Sequence, residues 1–243
     1  MRWGIVTFPG SNDDHDTLYV VDHILGDQAV SLWHKDRDLK GVDCVILPGG
    51  FSYGDYLRCG AMARFSPIME SVAEFARAGG LVLGICNGFQ VLCEAGLLPG
   101  ALIRNRGLRF ICQRVHLRVE EIDTPFSGRC TRGEVLTLPI KHGEGCYVAD
   151  AETLEELERH HQIVLRYVDP SGRIAAGANP NGALGGIAGV VNRQRNVFGL
   201  MPHPEHATEK LVGGEDGLKL FHSVRAACSE GVQHRVASVA PGH

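Results

Sequence analysis

The sequence has 243 residues, 24 lysines and arginines against 28 aspartates and glutamates, and a formal net charge of −4. A weakly acidic chain excludes a protein that wraps nucleic acid, which needs a basic surface, and no apolar stretch reaches the roughly 20 residues of a membrane-spanning helix. The apolar fraction is 44% and the eight cysteines include no C-x-x-C pair, so we expect a cytoplasmic globular protein with reduced thiols and neither a zinc ribbon nor a thioredoxin-type site.

The first half of the chain alternates strand and helix patterns. The runs at 42–47 and 81–85 are almost entirely apolar, as in strands covered on both faces. Ser11, Asn12 and Asp13 can cap the first helix. The predicted strands span residues 3–7, 30–33, 42–47 and 81–85, and the predicted helices span residues 18–25, 68–78 and 89–95.

The second half of the chain changes character. Residues 115–119 alternate with period two, which predicts a half-exposed antiparallel strand. The pattern fades from Ser229, so we expect a flexible tail over 229–243 and a single domain over 1–228. The other predicted strands span residues 135–140, 163–168, 186–191 and 197–201, and the predicted helices span residues 151–160 and 217–227.

This order of elements predicts an α/β fold. Strands that alternate with helices favour a doubly wound, mostly parallel sheet with helices on both faces, and the second half adds an antiparallel region. Ligands bind such sheets at the carboxyl ends of the strands. Because Pro48-Gly49-Gly50 and Cys86 both follow predicted strands, we expect them to share one crevice.

Cys86 is the first candidate for chemistry. The segment Gly84-Ile85-Cys86-Asn87-Gly88 has the form G-x-nucleophile-x-G at a strand-to-helix turn, where glycines avoid clashes and the helix N-terminus favours a thiolate. The alternative is a small buried cysteine followed by glycines. Its position between an apolar strand and a helix favours the nucleophile.

His203 and Glu205 are the second candidate. In an extended segment, residues two apart point to the same side, so Glu205 can orient His203 for proton exchange with a thiol. The alternative is a solvated surface loop. An α/β-hydrolase places its acid before its histidine, and the reverse order here argues against that class.

Three further patterns bear on the site. The glycines after Pro48 can turn a backbone N–H toward an oxyanion, with the N–H of Asn87 as its partner, although an ordinary turn fits the tripeptide equally well. The segment 142–145 is either a binding loop or a plain hairpin turn. The sequence has no G-x-x-x-x-G-K-[ST] motif, which excludes ATP binding through a P-loop.

These motifs resemble a known family. Residues 84–90 (GICNGFQ) and 203–205 (HPE) resemble the class I, or triad, glutamine amidotransferases. Within them, residues 48–58 (PGGFSYGDYLR) and 201–205 (MPHPE) are similar to the glutaminase subunits of phosphoribosylformylglycinamidine synthase. The resemblance covers roughly residues 1–228 and implies a flavodoxin-like sheet.

The resemblance also implies a mechanism with glutamine as substrate. Cys86 would attack the side-chain amide to form a γ-glutamyl thioester, His203 would protonate the leaving ammonia and later activate water, and Glu205 would orient His203. The backbone N–H groups that would hold the oxyanion are those of Gly50 and Asn87. The residues that would help to seat glutamine are Gln90, His142 and Gly143.

Partners follow from the same resemblance. The ammonia would pass to a large synthetase subunit, PurL, which converts formylglycinamide ribonucleotide to the amidine in de novo purine biosynthesis. A small subunit, PurS, would join the complex. ATP and Mg²⁺ would bind the synthetase, and this chain would carry no cofactor or metal and bind neither nucleic acid nor membrane.

Two departures and three alternatives accompany the resemblance. His206 stands where the family commonly has arginine, and Cys59 where it has a small residue without a thiol. We expect neither to contact the triad, and His206 to affect the partner surface or the support of Glu205.

The alternatives are a glutaminase subunit for guanylate or anthranilate synthesis, a peptidase or stress protein of this fold, and a non-catalytic regulator. The segment 51–58 disfavours the first, Asn87 in place of histidine disfavours the second, and an intact triad argues against the third.

Overall fold

A computed structural model describes residues 1–175 and 177–237 of the chain, with side chains to residue 230. The helices in this part are α1 (Asp14–Tyr19, continued by a π-helical turn, Val20–Ile24), α2 (Pro67–Arg77), α3 (Asn87–Glu94), α4 (Ala151–Arg159) and α5 (Leu218–Ala237). The strands are β1 (Arg2–Thr7), β2 (Gln28–Trp33), β3 (Cys44–Leu47), β4 (Leu81–Ile85), β5 (Ala101–Ile103), β6 (Ile111–Val119), β7 (Val135–His142), β8 (Cys146–Val148), β9 (Ile163–Val168), β10 (Ile187–Val191) and β11 (Val197–Leu200).

Nine of these strands form one sheet in the order β2-β1-β3-β4-β11-β10-β9-β6-β7. The first five are parallel, and the remaining strands pair antiparallel. Every residue of β3 and β11 is buried, as in strands that are covered on both faces. The predicted α/β fold, with its parallel sheet and antiparallel region, is confirmed.

Some boundaries differ from the predictions. The antiparallel pair of β5 and β8 was not predicted, because strands of three residues are too short to show a periodic pattern. The predicted end of the last helix at 227 was wrong, since α5 continues to Ala237. The predicted flexible tail lies partly outside the described residues, at 238–243, and the single domain over 1–228 stays a prediction. Within the described residues, none of the helices has the length and apolar character that spanning a membrane requires.

The strand order positions the site. The parallel strands β1, β3, β4 and β11 are consecutive in the sheet, so their carboxyl ends lie along one edge. The segments that leave this edge are residues 8–13, 48–50, 86 and 201–205. Residues that are far apart in the chain therefore meet here.

Candidate active site

Cys86 occupies the sharp turn between β4 and α3. Its φ of 50° and ψ of −103° are rare for a residue with a side chain, and the backbone is held by a 2.8 Å hydrogen bond from Cys86 N to the Leu200 carbonyl. A Cβ on Gly88 would lie 1.9 Å from the carbonyl oxygen of Leu47, so α3 can approach β3 only because residue 88 is a glycine. The thiol is 3.8 Å from the carbonyl oxygen of Lys141. This strained turn places the sulfur at the edge of the sheet.

His203 and Glu205 form a buried pair beside the thiol. The Nδ1 atom of the His203 ring lies 2.5 Å from Glu205 Oε1. The backbone N–H of His203 donates to the carbonyl of Pro139 at 2.8 Å. Burial alone would lower the pKa of His203, but Glu205 and the neighbouring Cys86 together raise it well above its usual value. At rest Nε2 makes no hydrogen bond of normal geometry with the described residues, as is common before a substrate binds. The structure therefore brings sulfur, imidazole and carboxylate together.

Asp13 is a second carboxylate at this imidazole, which the sequence analysis missed. Its Oδ2 lies 3.6 Å from His203 Nδ1, while its Oδ1 pairs with the ammonium of Lys141 and lies 3.2 Å from His206 Nε2. Burial opposes the charge of Asp13, but the hydrogen bond to His206 and the positive groups around it hold its pKa well below the usual range. Asp13 stands at the N-cap position of α1, within the predicted capping segment, but its side chain makes no cap hydrogen bond and faces the imidazole instead.

His206 contacts this cluster directly. Its Nε2 lies 3.5 Å from Glu205 Oε1 and 3.0 Å from the ammonium of Lys141. The expectation that His206 would not contact the triad was therefore wrong, whereas its expected support of Glu205 has a structural basis. Asp13, His203, Glu205 and His206 each place a possible ligand atom within 4.8 Å of the others, a spacing that would suit a metal ion. Because Lys141 already supplies the positive charge, we assign no metal to them.

A cavity of about 390 Å³ opens in front of the thiol. The predicted site residues that line it are Gly50, Cys86, Gln90, His142 and Gly143. Asn87, His203 and Glu205 do not line it. The N–H groups of Gly50 and Asn87 have no acceptor among the described residues, which leaves both available to an oxyanion. Their role as an oxyanion hole stays a prediction.

Gln90 links the nucleophile helix to the cavity loop. Its Oε1 accepts from Asn87 Nδ2 at 2.9 Å, and its Nε2 donates to the Glu144 carbonyl at 2.6 Å. The side chain therefore holds the loop at 142–145 against the start of α3. Its direct contact with a ligand stays a prediction.

His142 is buried at the start of the loop formed by residues 142–145. Its Nδ1 lies 3.2 Å from Asn105 Oδ1, and Asn105 also accepts from the Gly145 N–H at 2.9 Å. Burial, with a smaller contribution from His203, lowers the pKa of His142 to about 4. The ring is thus neutral at physiological pH, and it shapes the loop without adding charge to it.

Charged residues from several loops complete the cavity. Asp55 and Glu144 lie in segments that the sequence marked, 48–58 and 142–145, whereas no motif marks Arg104, Arg109 or Lys141. The cationic residues are Arg104, Arg109 and Lys141, and the acidic residues are Asp55 and Glu144. Cys59 also lines this cavity. The cavity thus offers partners for both a carboxylate and an ammonium group.

Comparisons with known proteins agree with this geometry. Residues 1–215 match the family described as CobB/CobQ-like glutamine amidotransferase domain. The phosphoribosylformylglycinamidine synthase subunit PurQ of Chlorobaculum tepidum is 60% identical over 223 residues, 92% of this chain and 95% of that protein. The PurQ subunit of Moorella thermoacetica is 56% identical over 224 residues, with coverage of 92% and 95%.

A solved structure shows the same fold at substantial sequence identity. A chain of the PurLQS structure from Thermotoga maritima aligns with a TM-score of 0.83 and 44% identity, covering 93% of this chain and 98% of that one. The glutaminase domain of Trypanosoma brucei CTPS, at 15% identity and a TM-score of 0.57, shares the fold alone, with coverage of 95% and 94%. The chain therefore belongs to the glutamine amidotransferases and, within them, to the PurQ family of phosphoribosylformylglycinamidine synthase subunits.

Proposed function

We propose that this chain is the glutaminase subunit of a phosphoribosylformylglycinamidine synthase. The observation that carries the proposal is the position of Cys86, whose thiol lies between the buried His203–Glu205 pair and an open cavity. A nucleophile beside a base that is itself oriented by a carboxylate is the arrangement that acyl transfer requires.

The cavity suits free glutamine. Glutamine carries a carboxylate, an ammonium group and an amide, and the cavity combines arginines and a lysine with two acidic residues. Charged ligands bind best where opposite charges are already in place. We infer that the charged residues hold the amino-acid end, while the amide carbon faces the thiol of Cys86. Gln90, His142 and Gly143 belong to the wall and loop that would enclose the side chain.

The reaction runs in two stages. The Cys86 thiolate attacks the amide carbon, and the N–H groups of Gly50 and Asn87 stabilise the oxyanion. His203 gives its proton to the nitrogen as the C–N bond breaks, so ammonia leaves and a γ-glutamyl thioester remains. His203 then takes a proton from water, which attacks the thioester and releases glutamate and the free thiol.

The relatives support a proposal for the fate of the ammonia. The Thermotoga maritima structure is named PurLQS, and we propose that this chain assembles with PurL and PurS in the same way. The synthetase subunit would use ATP and Mg²⁺ to convert formylglycinamide ribonucleotide to the amidine, and this chain would need no cofactor of its own. We place the complex in the cytoplasm, since all eight cysteines are free.

Ammonia release from glutamine tests the proposal. We expect the purified chain, assayed with PurL and PurS, to form glutamate and ammonia in equal amounts and the variant Cys86→Ala to form neither. Cys93→Ala is the matched control, because Cys93 is also a free cysteine but does not line the cavity. Ammonia formation by Cys86→Ala at the wild-type rate would disprove the mechanism.

A further inference from the structure

Asp13 is fixed at the triad by backbone contacts as well as by its charge. The N–H groups of Asn12 and Asp13 both donate to the carbonyl of Gly49, at 3.3 Å and 3.2 Å. A Cβ on Gly49 would lie 2.3 Å from Asp13 Oδ2 and 2.7 Å from His203 Cε1. The carboxylate and the imidazole therefore both pack against the same glycine, and the absence of a side chain at residue 49 allows their close approach.

The charge of Asp13 is balanced inside the protein. The side chain is only 3% exposed, and Lys141 and His206 both contact its Oδ1. This leaves Oδ2 facing His203 Nδ1, the atom that Glu205 also contacts. A buried carboxylate with this many partners is costly to desolvate, so its position beside the imidazole needs an explanation.

We propose that Asp13 is a positioning residue of the triad, forming with Glu205 a pair of carboxylates at the Nδ1 edge of His203. Lys141 and His206 hold Asp13 in this position. Its role rests on the proposed function, because it acts on the proton that His203 gives to ammonia. Asp13 does not line the cavity, so its proposed action is through the imidazole alone.

The electrostatic consequence has a definite sign. The groups that face His203 are Glu205 and His206 from its own segment, Asp13 from the turn before α1, Cys86 from the turn before α3, and Lys141 and His142 from the end of β7. Asp13 and Glu205 favour the protonated ring, and Lys141 disfavours it. Loss of the Asp13 charge therefore lowers the pKa of His203, and loss of the Lys141 charge raises it.

Histidine NMR measures this effect without turnover. In a Cys86→Ala background, which removes the thiolate, we expect Asp13→Asn to lower the pKa of the His203 ring by about one unit, as expected for an opposite charge about 4 Å away. Asp16→Asn is the matched control, because Asp16 lies on α1, three residues after Asp13, but its side chain is half exposed and pairs with His206. An unchanged ring pKa in Asp13→Asn, or an equal shift in Asp16→Asn, overturns the proposal.

A second variant covers the case in which Asp13→Asn does not fold. Lys141→Met leaves both carboxylates in place and removes the compensating charge, so the pKa of the His203 ring should rise. A fall or no change in this variant contradicts the proposal.

Kinetics then connect the shift to catalysis. With Cys86 intact and PurL and PurS present, we expect Asp13→Asn to lower kcat about tenfold with KM unchanged, and to move the alkaline limb of the pH profile to lower pH. An unchanged kcat and pH profile in Asp13→Asn, with an active wild type, rejects the role of Asp13 alone. An inactive wild type would instead reject the proposed function, while the NMR result would still report on the imidazole.

Discussion

Gly49 is the residue on which the packing of the site depends most directly. Asp13 Oδ2 and His203 Cε1 both lie closer to the position of its missing Cβ than atoms approach one another in proteins. We expect Gly49→Ala to push the imidazole away from the thiol and to reduce kcat about a hundredfold, since small displacements of catalytic groups have effects of this size. Gly177→Ala is the control, because a Cβ there meets no atom within 4 Å. Equal kcat values for the two variants would contradict this account.

Glu205 determines the protonation of the imidazole. Glu205→Gln keeps the shape but removes the charge, so the pKa of His203 falls and the protonated ring that must donate to ammonia is lost at lower pH. We expect kcat to fall on the order of 10³-fold and the alkaline limb of the rate profile to move to lower pH. Glu215→Gln, at an exposed acid, should behave as wild type. Steady-state rates between about pH 6 and pH 10 measure this shift. An alkaline limb that stays in place would show that Glu205 does not control the protonation of the His203 ring.

His142 makes stability depend on pH. Its pKa is about 4 in the folded chain against an ordinary value of 6.5, so the unfolded chain binds a proton that the folded chain does not. The neutral His142 ring therefore contributes fully to the free energy of unfolding above pH 6.5, the pKa of histidine in the unfolded chain. This contribution is lost as the pH falls toward 4. We expect Tm of His142→Gln to vary less between pH 6.5 and 4 than that of wild type or of His161→Gln, an exposed control. Parallel Tm curves for the three proteins would refute this.

Where a motif marks single residues, the structure brings the marked side chains together, while their catalytic roles stay predictions. Cys86, His203 and Glu205 stand in short patterns whose chemistry is local. Asp13 was taken as a helix cap because its partners, His203 and Lys141, are distant in the chain and meet it only through the order of β1, β3, β4 and β11. No local pattern contains that information.

At the scale of elements, the turn from β4 into α3 is packed closely against β3. A Cβ on Gly88 would meet the backbone of β3, which cannot rotate away as a side chain can. We expect Gly88→Ala to shift α3, to reduce the free energy of unfolding by about 1–3 kcal/mol and to lower activity with it. Chemical denaturation measures the change in the free energy of unfolding. Gly107→Ala is the control, because a Cβ at residue 107 meets no atom within 4 Å. A loss no greater than that of the control would mean that the helix can move without cost.

Elements were predictable where burial is complete. The apolar runs of β3 and β4 predicted strands covered on both faces, and the structure confirms them. The strands β5 and β8 depend on each other across the chain and on few residues, so tertiary pairing rather than local pattern forms them. The end of the last helix was missed because the polar residues from Ser229 onward resemble a frayed terminus.

At the scale of the whole molecule, the proposed function requires control of the glutaminase. A free subunit that hydrolysed glutamine rapidly would waste it, so we expect docking on the synthetase to complete the site. The chain alone should form glutamate slowly, and addition of PurL and PurS with ATP and formylglycinamide ribonucleotide should raise the rate of glutamate formation about tenfold or more, while the ammonia is consumed in forming the amidine. The control is the same mixture with Cys86→Ala. Rapid hydrolysis of glutamine by the isolated chain would contradict the expectation that docking completes the site.

The hydrogen bonds of Gln90 have a consequence for inhibitor design. They join the first turn of α3 to the backbone of Glu144, so the two sides of the cavity are mechanically connected. A compound that wedges the loop outward will pull on the amide of Asn87, and with it on the backbone next to the sulfur. We therefore expect that a molecule bound at the opposite wall, without contact to Cys86, lowers the reactivity of the thiol.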